Sequence, residues 1–324
     1  MTRFSSLSSL LDYLNVTDIK SDLFPFSEKA SDYEWVDNGN GKGVILPNLN
    51  KFSSLFVYRG QTKRFQPCVS SLLRGEVTNI DIIVYKVKMA EFLALLDNPR
   101  TRLSEEIGLE VNLEALAQHY GLKTVHLDVS HSLDVAAFFA CCSLEEGEWK
   151  PMSSGTGVVY RLPFIPDYTC DIVGPQIYPR PKQQFAESVR VDIEQDFESF
   201  PYVETFEFEH SYDESLYFFN KFNRGQSLFP FDLIAEKADL IVNDRELPIS
   251  AIKRVLNADG VPENQWEEKI QYVASKLKAE NKGSISNRSE HTFSEQELKA
   301  LEQNLEHVKA DILGNTGFRA VFAP

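Results

Sequence analysis

Four clusters of residues have types and spacing that could do chemistry. The first is Tyr58-Arg59-Gly60-Gln61, followed by Pro67, Leu72 and Arg74. An arginine at the end of a strand can hold a phosphate or carboxylate through two parallel hydrogen bonds. The glycine beside it permits close approach of a ligand or another backbone. The plainer reading is an arginine paired with a carboxylate to fix a loop. The second cluster is Gln118-His119-Tyr120-Gly121-Leu122, continued by Thr124, Asp128 and Ser130. His119 could carry a proton, and Asp128 could orient a histidine or an arginine. A helix terminus with a buried aromatic and a turn-forming aspartate explains the same residues without chemistry.

The third cluster is Arg180-Pro-Lys-Gln-Gln184 with Glu187. An arginine near two amides and a carboxylate suits a nucleotide phosphate or a ribose hydroxyl, although many loops have this composition. The fourth is His126, His131, Cys141 and Cys142. It lacks the Cys-x-x-Cys and His-Glu-x-x-His spacings, and both cysteines fall within an apolar helical pattern. Buried thiols are therefore expected there, and no metal site. The chain has no nucleophile elbow, no phosphate-binding P-loop and no dinucleotide glycine fingerprint.

These residues need elements to position them. Residues 54–58 read as a strand that stops at Arg59-Gly60. Asn112 is placed to cap a helix running to His119, and Gly121 sits where a terminator belongs. A short strand over 124–128 leads to Ser130 or Ser132, either of which could cap the apolar helix of 134–142. Residues 157–164 read as a strand, and 203–210 alternate as a half-buried strand should. Helices are expected from about Val84 to Asp97, over 212–222, and around 263–278 and 295–312. The intervening 281–292 has the composition of a flexible joint. Ser294 and Glu297 form a capping-box pair. The acidic run 187–214 reads mostly as a solvated face.

Composition narrows the function. A net charge of −15 argues against broad nucleic-acid binding, which requires neutralising phosphates, yet leaves room for a small basic pocket. Four scattered cysteines fit a reducing compartment, and no stretch approaches a membrane span. A cytoplasmic location without membrane contact is the simplest expectation.

The first three clusters, in this order, resemble the FRG domain. Tyr58-Arg59-Gly60 is similar to its aromatic-Arg-Gly motif, with tyrosine for phenylalanine, and Pro67, Ser70, Leu72 and Arg74 resemble its Pro-Ser-Leu-x-Arg continuation. Residues 118–130 closely resemble QHYGLPTRLLDWT, with Val129 in place of tryptophan, and 135–140 resemble the small-aromatic helix that follows. Arg180 and Gln184 resemble the third motif, although Phe185-Ala186-Glu187 departs from the glycine pattern after it. Ser227-Leu228-Phe229-Pro230 is similar to the motif near the end of the family's domain, so the likeness spans about residues 5–240.

The resemblance implies a bacterial or phage-borne protein linked to conflict between the two. The motif order is distantly similar to ADP-ribosyltransferases. That likeness implies a nucleotide pocket, with NAD as substrate and no metal. Arg59, Gln61, Asp128 and Arg180 would bind the cofactor, with His119, Tyr120 and Ser130 on the nicotinamide side. Gln184 or Glu187 would stand at the late catalytic position. The expected fold is α+β, a mixed or antiparallel sheet flanked by helices. Residues 1–50 would form the N-terminal region, 51–240 the motif-bearing core and 241–324 a mostly helical extension, dispensable for the fold of 1–240. The leading expectation is an ADP-ribosyltransferase-like toxin or phage-defence effector acting on a macromolecular acceptor. The rival is a non-catalytic module, braced by an Arg59–Asp128 network, that works through protein–protein contacts.

Overall fold

The computed structural model describes residues 1–18, 33–37, 42–48, 55–165, 168–174, 176–314 and 316–319. Residues 38–41 and Ser54, the first residue of the expected strand 54–58, lie outside them. The centre is a six-stranded mixed sheet. Its strands are β1 (Thr2–Phe4), β2 (Phe56–Gln61), β3 (His126–Ser130), β4 (Thr156–Pro163), β5 (Ala186–Arg190) and β6 (Glu204–Glu209). Their order across the sheet is β1-β6-β4-β2-β3-β5, parallel only between β1 and β6. The fold is α+β.

The strands' two-residue period sorts their side chains into two cores. On one face, Tyr58, Val159, Phe206 and Phe208 pack with helices α1 (Leu7–Thr17), contributing Leu7, Leu10 and Leu14, and with an apolar helix carrying Ala136 and Phe138. On the other face, Val57, Leu127, Val129, Val158 and Tyr160 close over Phe197. The central strand β4 is buried along nearly its whole length, which matches its continuous apolar run.

Further helices follow the sequence signals with shifts at their ends. They are α2 (Asn79–Leu95), α3 (Pro99–Glu106), α4 (Leu113–His119) and α5 (Leu133–Cys141). Asn112 caps α4 through the Ala115 amide, and Ser132 caps α5 through the Val135 amide. Gly121 follows α4 at φ +83°, a conformation that side chains other than glycine's resist. The apolar pattern of α5 stops one residue sooner than expected. Cys142 opens a hairpin, Cys142–Glu145 with Glu148–Pro151, so only Cys141 is helical.

Helix α6 (Pro179–Gln184) carries the third motif. Phe185 then turns the chain into β5 at φ +47°, in the left-handed region that favours glycine. The acidic run is not a uniform solvated face. Glu187 on β5 is fully buried, and Glu198 receives Arg64 and Tyr160. Ladder pairing on β5 drew Glu187 inward, and the short turn Phe197–Ser199 between β5 and β6 places Glu198; the bonds the two carboxylates accept offset part of the cost of burial.

The C-terminal part continues with α7 (Tyr212–Lys221), α8 (Leu233–Asn243), α9 (Ile249–Ala258), α10 (Trp266–Ala279), α11 (Glu295–Gln303) and α12 (Leu305–Gly314). Its helices look polar, yet Ala251, Ile252, Ile270, Val273 and Leu277 form a core with Ile80 and Val87 of α2. Nor is 281–292 a loose joint. Arg288 forms a two-pronged ion pair with buried Glu91 of α2, at 2.8 and 3.0 Å. Amphipathic spacing hides this buried stripe within a polar average composition. No described helix is long and apolar enough to cross a membrane.

Candidate functional site

Strands β2 and β3 pair in register at Tyr58–Ser130 and then part. A cleft of about 460 Å³ opens where they diverge, within the range of small-molecule sites. The Arg59 guanidinium spans the gap, its Nη1 donating to the Asp128 carbonyl at 2.7 Å. It thus occupies an acceptor that a longer β2–β3 ladder would use. Gly60 is required on the facing side. A Cβ there would lie 1.8 Å from the Ala136 carbonyl oxygen of α5. The alanines of that helix therefore let it press onto the strand and form the cleft's inner wall.

The cleft is lined by Arg59, Gln61, Asp128, Ser130 and Gln184 among the expected residues. Arg74, Phe65, Phe139 and Trp149 also line it. Neither Arg59 nor Arg74 is ion-paired among the described residues. Arg74 is held below the usual arginine range, first by loss of surrounding water and then by the Arg59 charge nearby. In the same lining Phe139 and Trp149 meet nearly edge to face, with ring centres 5.7 Å apart. The Trp149 ring also stacks on Phe229 of the late motif, at 5.6 Å.

A buried relay stands behind this wall. Gln184 Nε2 donates to the Leu228 carbonyl, which orients the amide and turns Oε1 toward His119 Nδ1 at 3.0 Å. The Nδ1 proton is thereby assigned from the network. His119 Nε2 then faces Asp128 Oδ1 at 3.6 Å. Both atoms are buried and lack a hydrogen-bond partner. Ser130 Oγ donates to the Gln184 carbonyl at 2.7 Å, fixing that residue to β3.

The family model of the FRG domain matches residues 54–148. The chain contains an FRG domain. No curated protein and no solved structure matches the chain.

The FRG motifs divide between cleft and scaffold. His119 is buried and reaches the cleft through Asp128 and Gln184. Tyr120 does not line the cleft. Its hydroxyl donates to buried Asp232 at 2.6 Å, and burial, then that carboxylate, pushes it well above the usual tyrosine range. Arg180 also lies outside. Its Nη1 donates to the His119 carbonyl at 3.1 Å and its guanidinium covers the Tyr120 and Phe229 rings. That position suits a cation at a helix C-terminus.

Glu187 is sealed away from the cleft, accepting from the Val173 amide at 2.7 Å and lying 3.3 Å from His131. The leading Gln118 of the second motif is a brace, accepting from Thr124 Oγ1 at 2.8 Å. The Arg59–Asp128 brace runs through a main-chain carbonyl, with the Asp128 side chain left to His119. Arg74 was visible in sequence only as the end of the first motif. Trp149 had no local signal, because a hairpin brings it to the cleft.

Proposed function

We propose that the FRG domain binds a nucleotide-type anion in the cleft between β2 and β3. The observation that carries this reading is the pair of guanidinium groups, Arg59 and Arg74, lining one cleft without carboxylate partners, in a lining that also holds the Phe139–Trp149 pair. Such a pair suits phosphate oxygens, and the rings suit a planar base or nicotinamide. Asp128 is the carboxylate that faces this space, with His119 holding it from behind.

The family resemblance extends the reading to ADP-ribosyl transfer from NAD to a macromolecular acceptor, as in a phage-defence effector or toxin. In that chemistry positive charge develops on the ribose as nicotinamide leaves, and a carboxylate beside it stabilises the charge. The geometry favours Asp128 for that part over Gln184, whose amide is engaged with His119 and Leu228, and over the sealed Glu187. The test is incubation of the full chain with labelled NAD, scored for nicotinamide release, beside calorimetric titration with NAD. Binding that is lost in Arg59→Lys supports the cleft as a nucleotide site, and release that is lost in Asp128→Asn supports transfer. Absence of both binding and release leaves the protein-interaction role of the module as the reading to pursue.

A further inference from the structure

A second cavity, of about 410 Å³, lies between the FRG core and the C-terminal extension. Four cations line it: Arg74, Lys88 of α2, Lys123 just after the second motif, and Lys282 of the extension. Two carboxylates, Glu76 and Asp81, line it as well. Lys282 is already neutralised, by Asp81 at 2.6 Å and Glu280 at 3.1 Å. Arg74, Lys88 and Lys123 are not ion-paired among the described residues.

Lys88 is the unusual member. It is half-buried, and its ammonium donates to the Val242 carbonyl at 2.6 Å, which leaves two of its three protons for another acceptor. Burial pushes it below the usual lysine range, and Asp244 and Glu91 at longer range offset part of that effect. A partly desolvated ammonium without a counter-ion is costly to maintain, and an anion in the cavity would relieve the cost. The concentration of positive charge is also out of keeping with a chain of net charge −15. Leu122 and Val242 give the cavity apolar walls beside its cations.

We propose that this cavity is a second anion site, taking a phosphate-bearing small molecule, with Lys88 at its buried end and Arg74 and Lys123 as its other cations. Arg74 lines both this cavity and the cleft, so occupancy of one site bears on the charge available to the other. The second site needs residues from both the FRG core and the extension, which gives the extension a part in ligand binding.

The experiment is calorimetric titration of the full chain with inorganic pyrophosphate, repeated for Lys123→Glu, Lys88→Met and Arg59→Ala. Wild type should bind, with affinity falling as salt rises. Lys123→Glu and Lys88→Met should each bind at least tenfold more weakly at this site, and Arg59→Ala, which removes a phosphate contact of the first cleft, should keep the binding event that depends on Lys123 and Lys88. Lys123 is exposed, so Lys123→Glu decides the matter if Lys88→Met melts early. No binding by wild type, or wild-type affinity in Lys123→Glu, overturns the proposal. Loss of all pyrophosphate binding in Arg59→Ala places the anion in the first cleft and also overturns it. A failed NAD titration with retained pyrophosphate binding would count against the cleft reading and leave this one standing.

Discussion

Arg59 donates to the main-chain carbonyl of Asp128, while the Asp128 carboxylate turns to His119. The two residues are neighbours across a split in the sheet, yet their charges do not neutralise each other directly. Each therefore faces the cleft with a function of its own: Arg59 with donors to spare, Asp128 with a carboxylate 3.6 Å from His119 Nε2.

This arrangement makes Arg59→Lys a separable test. Lysine can reach the same carbonyl, so the melting temperature should fall by the equivalent of no more than ~1 kcal/mol. The planar fork is lost, and with it about 1.5–3 kcal/mol of charge-assisted bonding to an anion, roughly a tenfold to hundredfold loss of affinity. Thermal melts and NAD calorimetry on both proteins check this. A large stability loss with unchanged binding would assign Arg59 to the scaffold.

Asp128→Asn should fold well. An asparagine amide can donate to the lone pair on His119 Nε2, which the Gln184 contact orients toward it. Melting should match wild type within ~1 kcal/mol, whereas any nicotinamide release should disappear. Retained release would remove Asp128 from the chemistry.

Gly60→Ala should destabilise without touching a charged group. The added Cβ would meet the Ala136 carbonyl oxygen and the Ala140 amide of α5, and backbone cannot swing aside as a side chain can. Overpacking of this kind costs about 1–3 kcal/mol. Urea unfolding should show a lower midpoint, and ligand affinity should fall with the displaced wall.

A chain ending at residue 260 should melt well below the full chain, contrary to what its polar composition suggests. The truncation uncovers Ile80 and Val87 of α2 and strips Arg288 from buried Glu91. Breaking a buried ion pair costs about 3–5 kcal/mol. Arg288→Ala in the full chain isolates that part of the effect. A truncated chain with the wild-type melting temperature would show that the extension only rests on the core.

Acid should loosen the same junction. Burial raises Asp81, Asp244 and Glu290, but their partners outweigh it and hold all three below the usual carboxylate range. Those partners are Lys282 and Thr78 for Asp81, the Glu246 amide, His291 and Arg288 for Asp244, and Arg254 and Ser250 for Glu290. A carboxylate depressed in the folded state contributes stability that is full above its unfolded pKa, about 4, and is lost as pH falls through the lower folded value. Melts at pH 7 and 5 should agree on this contribution, with a drop at pH 3. Protecting the junction against acid, with no drop at pH 3, would discount these pairs.

Local pattern sufficed wherever a structure is decided by a few adjacent residues. Asn112, Ser132 and Ser294 of the Ser294–Glu297 box announce helix starts because their side chains accept from amides three residues on. Gly121 announces a stop because its backbone angle excludes other residues, and the alternation over β6 announces a half-buried strand. The FRG motifs, and with them Arg59, Gln61, Asp128, Ser130 and Gln184 at the cleft, were legible for the same reason. Only the tertiary structure decided which motif residues face the cleft. Tyr120 and Arg180 turn into the scaffold and Glu187 on β5 is sealed beside His131, because pairing and packing with distant segments set the direction of each side chain. Trp149 enters the cleft on a hairpin that the apolar run of α5 concealed. The buried stripe of α9 and α10 was hidden for a related reason. Composition averages a helix over all its faces, whereas a core selects one.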